Sequence, residues 1–204
     1  MLEPFPSVGH IYAAAAVRHG FPEFPADLLQ QKFISAWGRM ENFNYTRTEW
    51  ARLVDATFQG LIDKAPSETF FPELYEQFAL PGVWRVFPDV LPTLEKLASV
   101  GLKMAIISNW DERLRPLLRG FRLDQYFESM IISCEVGFEK PMREIFRMAA
   151  EKLGLSPEEI LHVGDDPTND AEGARVAGLQ ARLLVRGSKA LDREQIQSLC
   201  ELYS

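Results

Sequence analysis

The apolar positions of this chain change their period once along its length. From residue 7 to about residue 80 they recur at helical spacing, and no segment alternates apolar with polar residues as a half-buried strand does. Ser7 is placed to cap a first helix carrying Ile11, Ala14, Ala15 and Val17, which Gly20 and Pro22 end. Pro25 and Asp27 open a second, with Leu28, Leu29, Phe33, Ile34 and Trp37 on one side. Thr46 or Thr48 precedes a third, with Trp50, Leu53, Val54, Phe58 and Leu61, and a fourth runs from about residue 68 to 80. Four such faces bury one another in a helical bundle, which accounts for packing and says nothing of chemistry.

After Pro81-Gly82-Val83-Trp84 and Pro88 the pattern becomes helix and short apolar run in turn. Helices are expected over 90–100, 111–119, 142–153 and 170–177, and compact apolar runs over 102–107, 129–133, 160–163 and 181–185. Such runs alternating with helices are what a parallel sheet covered on both faces requires. The chain therefore divides into an all-helical domain over residues 1–83 and an α/β domain over 84–204, whose tail from 190 to 204 is expected to be helical.

Composition narrows the function. With 204 residues, 47% hydrophobic and 25% charged, the chain can bury a sizeable core. A net charge of -7 without a basic stripe argues against nucleic acid and against an anionic membrane as partners, leaving a small molecule. No run is long enough to span a bilayer, and the opening MLEPFPSVGHIYAAAAVRHG lacks the order of an export signal, so a cytoplasmic protein is expected. Cys134 and Cys200 are too few for a disulfide framework and have no metal-ligand spacing.

The carboxyl ends of strands in such sheets face a ligand crevice. One run ends in Ser108-Asn109-Trp110-Asp111, a hydroxyl and an amide just before a helix. They can hold a phosphoryl oxygen or simply cap that helix. A second leads into Gly137-Phe138-Glu139-Lys140-Pro141, where Lys140 is pinned above the sheet, either to neutralise a bound phosphate or as a solvated loop lysine. The third ends in His162-Val163-Gly164-Asp165-Asp166-Pro167-Thr168-Asn169-Asp170. Crowded carboxylates suit magnesium, although Asp165 and Asp166 can also form a turn and Asp170 can sit in a helix's first turn. His162 is read as packing in or beside the core; His10 and His19 have no partner pattern. Trp84 and Trp110 are read as packing residues. Neither a glycine-rich nucleotide loop nor a serine nucleophile elbow occurs.

In this order the three segments resemble the second, third and fourth motifs of the haloacid dehalogenase superfamily, over about residues 84–185, and the preceding helices resemble the cap many members carry. The resemblance implies a Rossmann-like parallel sheet with helices on both faces plus an all-helical cap that closes over the substrate. It implies a Mg2+-dependent phosphatase acting on a small phosphate ester through an aspartyl-phosphate intermediate. Ser108, Asn109 and Lys140 would bind the phosphoryl group, with Lys140 also catalytic, and Asp165 and Asp170 would form the metal site.

The family's first motif, an apolar strand ending in an aspartate nucleophile and followed by a Gly-Thr pair, has no match: nowhere does a strand end in Asp-x-x-x-Thr. The expectation is a core that lacks its first strand, a gap in the sheet, an inactive chain as written, and a native protein that begins upstream. Two other readings stand beside it. One is a metal-free dehalogenase of small halogenated acids, disfavoured by Gly164-Asp165-Asp166; the other is a non-catalytic ligand-binding protein that kept the pocket.

Overall fold

Ser7 begins the first helix as the sequence requires: its hydroxyl accepts the amide of His10, and α1 runs over Val8–Arg18. In this computed structural model, which describes residues 1–187 and 194–203, α2 (Ala26–Trp37), α3 (Arg47–Phe58) and α4 (Phe71–Gln77) follow. Thr46 rather than Thr48 caps α3, accepting the amide of Glu49.

The buried faces are narrower than the apolar pattern suggested. On α1 they are Ile11, Tyr12, Ala15 and Ala16, while Val17 is exposed. On α2, Leu29 and Ala36 are buried, whereas Leu28, Ile34 and Trp37 lie open. Each residue advances a helix by about 100°, so positions 29, 33 and 36 share a stripe that 28 and 34 miss.

The core here is aromatic. Tyr12, Phe58, Phe70, Phe71 and Tyr75 are buried together with Ile11, Leu29, Val54 and Leu74. Phe58 meets Phe70 edge-on at 5.3 Å and stacks on Tyr12 at 6.0 Å. Two strands that the pattern did not announce, β1 (Leu2–Pro4) and β2 (Trp84–Val86), pair antiparallel with Leu2 opposite Val86. Three residues are too few for alternation to register in sequence.

The rest of the chain follows the alternation of helix and run: α5 (Val90–Ser99), β3 (Ala105–Ser108), α6 (Leu114–Gly120), β4 (Ser129–Ile132), α7 (Ser133–Val136), α8 (Arg143–Leu153) and β5 (Leu161–Gly164). A wide π-helical turn over Pro167–Glu172, α9 (Gly173–Val176), β6 (Gln180–Leu184) and β7 (Gln195–Ile196) complete it. The single helix expected over 170–177 is thus a π-turn followed by a short α-helix.

Of the helical tail expected over 190–204, residues 190–193 and 204 lie outside the described residues. Within them, Gln195–Ile196 is a strand and only Leu199–Leu202 is helical, a 3-10 turn capped by Ser198. Pairing with Leu183 and Leu184 of β6 overrides local propensity there.

The chain forms two compact units. One is Met1–Phe87 with Arg113–Phe121; the other is Pro88–Glu112 with Arg122–Ser204. α6 belongs to the first unit, where the preceding Arg113 lies over the rings of Tyr75 and Trp50 at 3.7 and 5.2 Å and donates to the Tyr75 carbonyl.

In the second unit β3 runs parallel to β4, with Ala105 opposite Ser129 and Ser108 opposite Ile132. β5 runs parallel to β6, and β6 to β7. Among the described residues these are two separate sheets, β3-β4 and β5-β6-β7, with no shared ladder. Ile131, Ile145, Phe146, Ala149, Ala171, Ala174, Leu179 and Ala181 form a common core, with Ala105, Ile107 and Leu183 against it. Among the described residues no helix is long and apolar enough to cross a membrane.

Candidate functional site

The polar residues of the second unit gather where β3, β4 and β5 end. Ser108 is the last residue of β3 and is half-buried; among the described residues its hydroxyl has no hydrogen-bond partner. The neighbouring Asn109 is held on Lys140. Its Oδ1 accepts the amide of Lys140 at 2.7 Å and its Nδ2 donates to the Lys140 carbonyl at 2.9 Å. The amide side chain thus clamps the backbone of Lys140 with one of its two N–H donors and keeps the other. Ser133, the first residue of α7, holds the same loop, accepting the Trp110 amide and donating to the Trp110 carbonyl, both at 3.0 Å.

Lys140 carries the chain of contacts to the acid loop, its ammonium 2.5 Å from Asp170 Oδ1. The two side chains are 13% and 4% exposed, so this ion pair is largely shielded from water. The same oxygen accepts Nε2 of His162 at 3.0 Å. The other oxygen, Oδ2, accepts the backbone amides of Asp165 and Asp166 at 3.1 and 3.0 Å.

Asp170 is therefore a hub with four donors. Burial alone would raise its carboxyl pKa; the His162 hydrogen bond and the charge and hydrogen bond of Lys140, aided by the Asp166 amide, outweigh that and hold it far below the usual carboxylate range. Room for the hub comes from Gly164: a Cβ there would collide with the Asp170 carboxylate.

The acids of the loop have separate tasks. Asp166 caps the π-turn, its Oδ1 accepting the amides of Thr168 at 2.9 Å and Asn169 at 2.7 Å, and its Oδ2 accepting Asn169 Nδ2 at 3.2 Å. Asp165 is exposed, and among the described residues its carboxylate makes no hydrogen bond. Among those residues no three His, Cys, Asp or Glu side chains converge as a ready-made metal cage. The donor set fits a magnesium ion of the kind held by one or two carboxylates, waters and a substrate phosphate, with Asp165 as the available carboxylate.

Of the residues singled out in sequence, the structure joins Asn109, Lys140 and Asp170 in one continuous network and puts Asp165 beside it through its own backbone amide. Ser108 adjoins that network through Asn109. Two members escaped sequence reasoning. His162 does pack on the core, its ring edge-on to Phe146 at 5.3 Å, but its nitrogen also reaches Asp170. The period of a strand places His162 and Gly164 on one face, a signal that becomes readable once Asp170 is known to fold back over Gly164. Ser133 carried no pattern at all. His19, which shows no partner pattern in sequence, pairs at the surface of the first unit with Glu73 at 2.7 Å.

Residues 8–178 match the model of the haloacid dehalogenase-like hydrolase family. Haloacid dehalogenase-like hydrolase domain-containing protein 3 of Mus musculus is 34% identical over 197 residues, covering 91% of this chain and 77% of the mouse protein. Phosphoserine phosphatase of Thermus thermophilus is 38% identical over 110 residues, 53% of this chain and 44% of that protein. The crystal structure of a HAD phosphatase from Thermococcus onnurineus superposes with a TM-score of 0.68 at 26% identity, covering 95% of this chain and 85% of the other. The split parallel sheet, the order of its three strand-end loops and these likenesses together make this chain a member of the haloacid dehalogenase-like hydrolase family, with that family's Rossmann-type α/β fold.

Proposed function

We propose that this protein is a magnesium-dependent, cytoplasmic phosphatase of small phosphate esters. The observation that carries this reading is the placement of Lys140. Its backbone is clamped by Asn109, the residue after Ser108, and its ammonium is paired with Asp170 of the acid loop, which supports a cation serving the ends of both β3 and β5.

In this reading the Ser108 hydroxyl donates to a phosphoryl oxygen and Lys140 balances the charge on the transferring group. Asn109 serves phosphate binding by fixing Lys140. Asp165 supplies an oxygen to magnesium, and Asp170 supports the metal site by fixing the backbone that carries Asp165. Bound magnesium would neutralise charge on the phosphate oxygens. Fixed donors of this kind stabilise developing charge without reorganising. Residues 1–83 act as the family's cap, which selects the substrate.

The covalent step uses an aspartate of the family's first motif, for which this chain has no matching residue. Its carboxylate would attack phosphorus, the ester oxygen would leave with a proton as the alcohol, and water would then hydrolyse the acyl phosphate. The chain as written is inactive in this reading.

The test is hydrolysis of p-nitrophenyl phosphate by the protein isolated from its own cells. Turnover with Mg2+ that stops with EDTA is expected. Halide release from 2-chloropropionate in EDTA would point instead to a dehalogenase, and saturable phosphate binding without turnover to a binding protein.

A further inference from the structure

We propose that His162 is a positioning residue of this site, holding the Asp170 carboxylate from the strand side so that Lys140 and the amides of Asp165 and Asp166 share one fixed anchor. The inference rests on the phosphatase reading for its kinetic consequence and on geometry alone for its structural one.

Lys140 is a long side chain arriving from a loop, with several rotatable bonds; its ammonium is only as well placed as its acceptor. Asp170 lies within the π-turn, and it receives three of its four donors from loop segments: Lys140 and the two amides of residues 165 and 166. His162 is the exception. It belongs to β5 itself, is 11% exposed, and has its ring wedged perpendicular to Phe146, a fully buried side chain of α8.

The histidine therefore ties the carboxylate to a strand and to the core, elements more rigid than the loops whose groups the carboxylate collects. An ionised carboxylate only accepts, so the 3.0 Å contact makes Nε2 the donor and fixes that nitrogen as protonated. Gly164, two residues on and on the same face, leaves the space through which the contact is made. Removing the donor would leave Asp170 free to turn about its side-chain bonds, and both Lys140 and the Asp165 backbone would move with it.

A merely space-filling histidine predicts something different. In that case any side chain that packs on Phe146 serves, and donor capacity is irrelevant. The experiment compares His162→Leu, which fills space without donating, with His162→Gln, whose terminal NH2 reaches roughly the position of Nε2, both expressed in and isolated from the protein's own cells.

Partners that orient the groups holding a metal are worth about 10–100-fold when removed. His162→Leu is accordingly expected to lower kcat for p-nitrophenyl phosphate by about that factor with a smaller change in KM, and to weaken Mg2+ binding measured by calorimetry. His162→Gln is expected to recover most of both. The 15N–1H resonances of Asp165 and Asp166 should shift in the leucine variant and return toward wild type in the glutamine variant.

Equal kcat in wild type and His162→Leu, with those two amides unmoved, would overturn the proposal. So would equal damage in both variants, which would assign the residue to packing on Phe146. If the wild-type protein shows no phosphatase activity, the phosphatase reading fails, and the amide resonances still decide whether His162 positions Asp170.

Discussion

The aromatic core of the first unit and the acid loop of the second are held together in opposite ways. In the first, Phe58 touches Tyr12, Phe24 and Phe70, and Tyr12 and Phe70 have further ring partners, so the packing is redundant. In the second, a single carboxylate collects Lys140, His162 and two backbone amides. Apolar contacts fail by degrees, because a lost methylene removes only its own surface and leaves a cavity in proportion. A buried ionic hub fails as a unit, because removing one partner leaves the others facing an uncompensated charge. The first design suits a scaffold, and the second suits a site in which three loops must keep their distances.

The largest effect expected from breaking this contrast is on the aromatic side. Phe58 is 1% exposed, and Phe58→Ala should destabilise the protein by about 3–5 kcal/mol, read from the urea midpoint. Phe58→Leu should cost less than half of that, in keeping with graded packing.

Lys140→Met comes next. It keeps the stem and removes the charge, leaving Asp170 with no cation at 2.5 Å. A loss of about 2–4 kcal/mol is expected at neutral pH, at or below the usual range for a broken buried pair because Lys140 retains some exposure. The two substitutions differ in their pH dependence. The cost of Lys140→Met should shrink as the solution is acidified and Asp170 becomes protonated in the variant, whereas the cost of Phe58→Ala should not follow that titration. Urea unfolding at pH 7 and pH 4.5 separates them.

How far the sequence anticipated this follows the same division. The helices and parallel strands were legible because their apolar periods are local: α1 begins after Ser7, α8 ends at Gly154, and β5 and β6 fall within a residue of the expected runs. β1 and β2 were not, since their pairing joins residues 80 or more positions apart and each is three residues long. Nor was the place of α6, whose attachment depends on Arg113 meeting rings of Trp50 and Tyr75.

In the site, strand-end chemistry pointed to Ser108, Lys140 and the acid loop, but residue type alone could not apportion tasks. Asp165, Asp166 and Asp170 look alike in sequence. Only the backbone makes one exposed and, among the described residues, without a hydrogen bond to its carboxylate, one a cap and one a hub. His162 shows the limit most plainly, for a histidine on an apolar strand is rightly read as packing until its distance to Asp170 is known.

A smaller effect sharpens the comparison within the second unit, at an anchor outside the site. Asp89 Oδ2 accepts Arg186 Nη1 at 2.9 Å, Ser198 Oγ at 3.0 Å and the Leu199 amide at 2.8 Å, tying α5 to the segment after β7. Burial pushes its pKa up, but Arg186, the Leu199 amide and Ser198 together bring it below the ordinary value. A carboxyl depressed in the folded state stabilises it above the unfolded value of about 3.9, and that contribution disappears as pH falls through the lower folded value. Asp89→Asn should therefore cost about 1–2 kcal/mol at pH 7, and wild type and variant should converge below about pH 3. A constant difference across that range would show that geometry, and not charge, holds the anchor.

The least disruptive test reads the electrostatics beside the site through a thiol. Cys134 in α7 is pushed up to about 11 by burial and by the negative charges of Glu112, Asp111 and Glu135, with its sulfur 3.9 Å from Glu112 Oε2. Since the thiolate is the reactive form, only about one thiol in a thousand is ionised at pH 8, against roughly a quarter for an unperturbed cysteine. Iodoacetamide should therefore label Cys134 slowly, followed by peptide mass spectrometry, and the rate should still be climbing at pH 10. Glu112→Gln removes one of the charges without touching the Asp170 hub, so labelling should quicken while the Asp165 and Asp166 amide resonances stay in place. If they moved as well, the loop after β3 and the acid loop would be coupled more tightly than the Asn109 clamp and the Lys140 bridge require, and the hub would extend back to Glu112.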